Sequence, residues 1–493
     1  MSNRRIQTMA GILAALALAL LLWQHWGMTL SNSDDPWIVR ASMAQVLDTA
    51  SVQGRFWLIP INLMAQIPYH LGSWEAANTV KIAVNGLVVL MFVLFCTRLT
   101  NVMTGLLIGL VWLAFIDVGR GYYSPFHGYL MMFNLQFAVL FLSFSLYLRR
   151  LDHGPDGGVI VVPFLLYGFA MLAYEPMFFY AAIFPALFLY RRLAQANHPV
   201  TLRQWVALAL QFTKRNYPLA LVMAAYVVAY FGYRQFQPTG GRGIDFNAPL
   251  ASIAVTVYKF SIYGFHVQIK PLDSYFPGIS TSGNVALAML YAASIALAML
   301  LIVPKLRDAL YPDRLFSKSA LAVILFFVFS PNILLGLVAG YRQWAAEDPH
   351  YVGNYFSSFA LAIVVTLAVL HLVGGRRAAR EKVLFGVVLW LFFSSACDNY
   401  LRWSNLAESN RIDSRLWWQA IVQLQQRSYS VDSPNVVCAQ NAPEHVSGDD
   451  RYWSSYLTEV LATPITYTSK YGKATQCTQL IDFNTLRFPK PRG

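Results

Sequence analysis

The sequence predicts a polytopic α-helical membrane protein of about eleven transmembrane helices, closed by a small α/β domain outside the membrane. Three observations predict it. Of 493 residues, 57% are hydrophobic and only 12% charged, with a mean hydropathy of +0.46; soluble domains carry about a quarter charged residues. Apolar runs long enough to cross a hydrocarbon core of about 30 Å recur as far as residue 400. Beyond residue 401 the chain turns polar and mixed, and no such run follows.

The first run, Met9–Leu30, follows Arg4 and Arg5. It is longer than the apolar centre of a signal peptide, about 7–15 residues, and lacks a clear small-residue cleavage site, so it is expected to stay as an uncleaved first span. Further spans are expected near 79–97, 103–117, 130–148, 158–173, 176–190, 216–233, 283–303, 318–338, 353–373 and 383–400. Basic residues fall in every second connection: Arg98, then Arg149 and Arg150, then Arg191 to Arg215, Lys305 to Lys318, and Arg376 to Lys382. The positive-inside rule makes those connections cytoplasmic, which puts the N-terminus inside and the C-terminus outside. This pattern also accounts for the net charge of +13. No basic tract is interleaved with stacking aromatics, so nucleic acid is not expected as a partner.

Two stretches depart from simple spans. Residues 158–190 are just long enough for two short spans, broken at Tyr174-Glu175-Pro176, or for one re-entrant hairpin. Phe56–Leu71, with Pro60 and Pro68, and Pro249–Phe265, with Lys259, are expected as helices lying along the outer interface. They belong to two long outer loops, 31–78 and 235–282, of a membrane domain covering 1–401.

Residues 402–493 read as a separate outer domain. Arg411–Arg427 has the spacing of an amphipathic helix, and Asn435–Cys438 and Pro464–Tyr467 read as short strands. Cys438 and Cys477 are the only cysteines there, and an oxidising exterior favours their pairing over two buried free thiols. Cys96 and Cys397 lie in or beside spans and are expected to be unpaired. No CxxC or His/Cys cluster suggests zinc or an iron–sulfur centre.

The charged residues of the outer loops carry the chemistry. Asp34 and Asp35 stand side by side just beyond the first span, where they need water, a metal ion or a cationic partner. Asp34-Asp35-Pro36 also suits a plain helix cap, since Asp is favoured at that position and Pro at the first helical residue. Arg55, His127, His266, Lys270, Arg342 and His350 are basic residues on the side the charge rule leaves poor in them. An anionic phosphate group accounts for them simply, because the planar guanidinium fork donates two parallel hydrogen bonds to it.

Tyr341-Arg342 with Glu347, Asp348 and His350 forms a second cluster, with an interface-anchoring Tyr/Arg pair as its plain alternative. Glu175 sits at an apolar hairpin tip, as a functional acid or as part of a hydrogen-bonded turn. His127, within an aromatic stretch, suits a sugar subsite or an interfacial aromatic belt.

A cytoplasmic N-terminus, an Asp34-Asp35 pair opening the first outer loop, Gly54-Arg55 some twenty residues later, about eleven spans and an outer C-terminal domain together resemble the GT-C superfamily of membrane glycosyltransferases. The Gly54-Arg55 element also resembles bacterial members that modify O-antigen or pilin. The resemblance implies a bacterial cytoplasmic-membrane enzyme of inverting type. Such an enzyme moves a sugar from a polyprenyl-phosphate donor to a glycan, lipid or protein acceptor at the outer face. By that analogy Asp34 is the base and Asp35 its neighbour. From their charge, Arg55 is expected as a phosphate or carboxylate partner or in an ordinary loop salt bridge, and Arg342 as a donor-phosphate ligand.

No cofactor is called for, although a divalent cation is compatible with the acid pair. Membrane lipids are the remaining partners. A transporter or flippase of lipid-linked sugars, an O-antigen polymerase or ligase, and a purely structural membrane subunit are the rival classes. The first should show deep intramembrane charges or two related halves, and the sequence shows neither convincingly.

Overall fold

The computed structural model describes residues 3–26, 43–53, 59–60, 63–64, 66–67, 74–116, 132–152, 159–172, 175–195, 202–236, 245, 247–263, 265–268, 283–309, 318–347, 352–373, 378–430, 434–442, 450–469 and 477–486. Six described helices are long and apolar enough to cross a membrane. The chain is a polytopic α-helical membrane protein with a small C-terminal α/β unit.

Helix α1 (Asn3–Gln24) buries Ile6, Ala10, Ala17 and Leu21 along one stripe. Its small residues let it lie close to a later helix, as expected where packing rather than hydrophobicity joins helices in lipid. A short helix α2 (Met43–Gln53) precedes α3 (Trp74–Leu99) and α4 (Val102–Phe115). The turn between α3 and α4 is built locally. Asn101 caps α4 by accepting from the Thr104 amide at 3.0 Å, and the Thr100 hydroxyl donates to the Cys96 carbonyl at 2.7 Å. Gly105 and Gly109 then let the two helices touch, since a Cβ at either would fall on Thr97 or Val93.

Helix α4 is buried all round and sits at the centre of the bundle. That explains how a helix of about 21 Å can serve where the sequence predicts a full span. Around it follow α5 (Met132–Asp152), α6 (Val162–Met171), a 3-10 helix over Glu175–Ala182, α7 (Ile183–Gln195) and α8 (Leu202–Phe236). The stretch 158–190 is therefore an uneven helical hairpin whose first arm, α6, has only 10 residues. Pro176 opens the 3-10 turn, which favours its tighter start over a continuous α-helix.

The second half begins with α9 (Leu250–Ile262), which buries Thr256, Phe260 and Ser261 and exposes Leu250, Val255 and Tyr258. Helix α10 (Gly283–Ala309) packs between α1 and a later helix, α15. Next, α11 (Lys318–Phe329) breaks at Ser330-Pro331-Asn332 and resumes as the single turn α12 (Ile333–Gly336). The Asn332 amide closes the break by donating to Ser357 at 2.8 Å and Ser261 at 3.1 Å. Short α13 (Ala339–Glu347) and long α14 (Val352–Val373) follow. An aromatic core joins α3, α4, α5 and α14, with Trp112 stacked on Phe359 at 5.1 Å and Phe137 4.9 Å from the same ring.

The final bundle helix corrects two expectations. Helix α15 runs unbroken over Ala378–Gln425, so residue 401 lies inside it and the predicted Arg411–Arg427 helix is its last stretch. The change of composition therefore does not mark where the hydrogen bonding of the helix stops. Its end also belongs to the α/β unit: Trp417 stacks on Trp453 at 3.8 Å and meets Phe483 at 4.9 Å.

That unit has three parallel strands in the order β2-β1-β3: β1 (Asn435–Gln440), β2 (Ile465–Thr468) and β3 (Gln479–Asp482). Helix α16 (Asp450–Val460) makes the crossover between β1 and β2 and packs on β2. A disulfide joins Cys438 of β1 to Cys477 just before β3, while Cys96 and Cys397 are buried and free. Strand β3 was not predicted; four residues with polar neighbours carry little period-2 signal.

Candidate functional site

The two ends of the bundle differ in kind. At one end, Arg98 of α3, Asp152 of α5 and Arg191 of α7 meet. The opposite end gathers the close of α1, the first half of α3, the close of α4, the start of α5, the start of α14 and the stretch of α15 around Asn399. Side chains with amide, hydroxyl or charged groups are buried there at the end of α1 and on α3, α5, α14 and α15: Gln24, Lys81, Asn85, Asn134, Ser358 and Asp398 among them, with His25 just past α1.

Several of these groups hydrogen-bond one another. Asn134 donates to Asn85 at 2.5 Å and accepts from the Tyr355 hydroxyl at 2.6 Å. The Trp112 indole donates to Ser358, whose hydroxyl donates onward to the Tyr355 carbonyl at 2.8 Å. Gln24 donates to the Tyr400 carbonyl at 3.2 Å, tying α1 to α15. A buried amide or hydroxyl without a partner costs about 1–3 kcal/mol, so these bonds between helices fix their ends relative to one another, while Gln24 Oε1 and Asn399 Oδ1 are buried without a hydrogen bond.

The segment 265–268 enters this end. Phe265 pairs with Ile116 in an antiparallel bridge, and the His266 amide donates to the Phe115 carbonyl at 2.8 Å. His266 Nε2 stands 3.0 Å from both the Asp398 carboxylate and the Gln268 amide oxygen. Both neighbours only accept at those atoms, so Nε2 carries a hydrogen. Asn399 donates to the Ala114 carbonyl at 2.8 Å and Ser395 to the Gln268 carbonyl at 3.0 Å. One turn of α15 therefore holds the whole segment.

His25 sits just past the end of α1, with Nδ1 2.9 Å from the Leu21 carbonyl. Burial pushes its pKa down to about 4; the Leu21 carbonyl opposes that shift, while the charges of Lys81 and Arg411 add to it. It is a neutral ring at pH 7, in electrostatic reach of two cations.

The sequence-derived residues fall into three groups. Asp34, Asp35, Arg55, His127, Lys270, Asp348 and His350 lie outside the described residues. Glu175 opens the 3-10 helix and Glu347 closes α13, and for both only the backbone position is described. Tyr341, Arg342 and His266 are described in full. His266 joins the polar end as above. Tyr341 is buried. Arg342 is not an open phosphate fork: it bonds Asp245 at 2.6 Å and the Gly336 carbonyl at 3.1 Å, clamping α13 to residue 245. Among the described residues no three His, Cys, Asp or Glu side chains group as a metal site.

Lys81, Asp398 and His25 were missed as site residues. Lys81 and Asp398 lie inside runs that the sequence assigns to spans, and an ionisable residue in such a run is itself the signal. Nothing in the sequence pairs Asp398 with His266, which are 132 residues apart.

Similar solved structures exist, both of GT-C membrane glycosyltransferases. The apo oligosaccharyltransferase of Archaeoglobus fulgidus is 12% identical, with a TM-score of 0.41, covering 95% of this chain and 65% of that one. The chain thus spans just under two thirds of that protein's length. ArnT from Cupriavidus metallidurans, bound to undecaprenyl phosphate, is 14% identical with a TM-score of 0.36, covering 94% of this chain and 86% of that one. No protein-family model and no curated protein matches the chain.

Proposed function

We propose that this chain is a membrane glycosyltransferase that moves a sugar from a polyprenyl-phosphate donor to an acceptor hydroxyl at the outer membrane face, on the polar end of its bundle. The observation that carries the reading is a juxtaposition. The acid pair Asp34-Asp35 follows within ten residues of His25, and His25 ends the helix that enters the buried polar network. The loop bearing the acids therefore springs from a rigid, hydrogen-bonded platform, which is what positioned acid–base chemistry needs.

In this reading the Asp34 carboxylate takes the acceptor hydroxyl proton as the acceptor oxygen bonds to the sugar's anomeric carbon. The bond from that carbon to the phosphate oxygen breaks, and its electron pair leaves with the phosphate. Asp35 orients the acceptor or a cation. Arg55 and the buried cation Lys81 supply positive charge for the departing phosphate. Arg342 reaches a phosphate only by giving up Asp245. His266, oriented by Asp398, presents Nδ1 to the acceptor side. The donor is lipid-borne, so the reaction requires no nucleotide site, and the acceptor class is a glycan, lipid or protein.

The test is donor turnover by purified protein in detergent, where no second compartment exists and a transporter has nothing to move. Release of free polyprenyl phosphate coupled to glycosylated acceptor is the expected result. An unaltered donor in the presence of each acceptor class would overturn the reading. Comparison of surface glycans, lipids and pilins with and without the protein then names the acceptor.

A further inference from the structure

Four helices meet at the polar end beside the close of α1: α1 itself, the close of α4, the first half of α10 and the stretch of α15 around Tyr400. Tyr291 of α10 donates to the Leu113 carbonyl at 2.7 Å, and its ring stands 5.1 Å from Tyr400 and 6.1 Å from Trp403. Tyr291, Asn399, Tyr400 and Trp403 are wholly buried, and Gln24 is only 4% exposed.

Two carboxamides in this junction are oriented by what they donate to. Gln24 Nε2 bonds the Tyr400 carbonyl at 3.2 Å, and Asn399 Nδ2 bonds the Ala114 carbonyl at 2.8 Å. A carbonyl only accepts, so each amide nitrogen faces its carbonyl and each amide oxygen faces away from it. Both oxygens, Gln24 Oε1 and Asn399 Oδ1, are buried without a hydrogen bond, and so is the Trp403 indole nitrogen. The Tyr400 hydroxyl serves neither oxygen, because it is directed to the Leu20 carbonyl at 3.5 Å.

The three atoms belong to one place. Asn399 and Trp403 are four residues apart, so they stand one turn apart on one face of α15. A long helical side chain leans back toward the N-terminus, which lays the Trp403 ring over the turn of Asn399 and Tyr400. The Gln24 carboxamide is fixed to the carbonyl of that same turn. Two acceptors and one donor also identify what completes the set. An indole N–H repels a cation, and a pair of amide oxygens repels an anion. A water molecule donates two hydrogens and accepts one, and about three partners is the usual number for a buried water. Buried polar atoms are seldom left without a partner, since each has given up its hydrogen bond to solvent.

We propose that one ordered water lies between α1 and α15, donating to Gln24 Oε1 and Asn399 Oδ1 and accepting from Trp403 Nε1. Asn399 also stands 3.4 Å from the His266 carbonyl. The water therefore ties the end of α1 to the segment that carries His266, and Trp403 is a positioning residue of the polar end. The site is independent of the sugar-transfer reading, and neither requires the other.

A crystal or cryo-EM map of the full-length protein, fine enough to show other buried waters, tests the proposal directly. The expected result is one peak about 2.7–3.2 Å from Trp403 Nε1 and from both amide oxygens. A map that shows buried water elsewhere and none here, or that turns either amide oxygen onto a protein donor, would overturn it. Thermal unfolding in detergent gives a second readout. Gln24→Met and Trp403→Phe each remove one partner of the water, so each should lower the melting temperature. The double variant should fall short of the sum of the two shifts, because the second change strikes a water already lost. Additive shifts contradict a shared water. So does a Trp403→Phe protein that melts above the unaltered one, since removing a buried N–H without a partner is stabilising. Should a variant not fold, the map decides.

Discussion

The two ends of this bundle bury polar groups by opposite means. At the polar end, Asn85, Asn134, Tyr355, Trp112 and Ser358 are linked by hydrogen bonds, and His266 Nε2 bonds Asp398. At the basic end, Arg191 bonds the Arg98 carbonyl and Asp152, and Arg192 lies over the Phe188 ring. Side-chain hydrogen bonds that cross several helices preorganise an end, whereas helix-end arginines braced on a carbonyl, a carboxylate and a ring set its charge. The first suits positioned chemistry. Each prediction below attacks one end and asks whether the other responds.

The largest effect belongs to the tight turn at the basic end. Gly105→Leu places a side chain where Thr97 already stands, and overpacking there should cost about 3 kcal/mol or more, read as lost resistance to denaturant in detergent. A smaller cost would mean that α3 and α4 can slide apart.

Next is the pH response of the polar end. His25 titrates near 4 in the fold and near 6.5 when unfolded. Below pH 6.5 the unfolded chain takes up a proton that the folded chain refuses, so stability should fall as pH drops from about 6.5 to about 4, by about 3 kcal/mol in total. His25→Gln should flatten that slope, and an unchanged slope would place the titration elsewhere.

Asn134→Ala removes the donor to the Asn85 carboxamide oxygen and the acceptor of the Tyr355 hydroxyl, at a cost of about 2 kcal/mol. Asn134→Asp, which keeps an acceptor for Tyr355 but not the donor to Asn85, should be distinguishable from it in thermal unfolding. The smallest expected effect is the coupling of His266 with Asp398. A double-mutant cycle with His266→Ala and Asp398→Asn should give about 1 kcal/mol, and additivity within about 0.3 kcal/mol would deny the pair any orienting role.

Much of this was legible in the sequence. The long apolar runs, the basic connections and the change at residue 401 give the helical membrane class and the C-terminal α/β unit directly, and the strands around Val437 and Tyr467 follow from their apolar spacing. What escaped depends on contacts between distant residues. Hydrophobicity cannot tell a lipid-facing span from α4, which is short because protein surrounds it. Nor does it separate the end of a membrane stretch from the end of a helix, as α15 demonstrates. At the site, the acid pair and the arginines stood out as single residues. The Arg342–Asp245 clamp and the His266–Asp398 pair depend on tertiary placement that no local pattern encodes.

The measurement that bears most directly on the account compares both ends in one assay: sugar transfer from a polyprenyl-phosphate donor by purified protein in detergent. Asp34→Asn removes the proposed base and should lower the rate by about 100-fold or more. Arg98→Gln/Arg191→Gln, which alters only the basic end, should stay within about twofold. A correctly folded Asp34→Asn protein that transfers sugar near the unaltered rate would contradict the central claim.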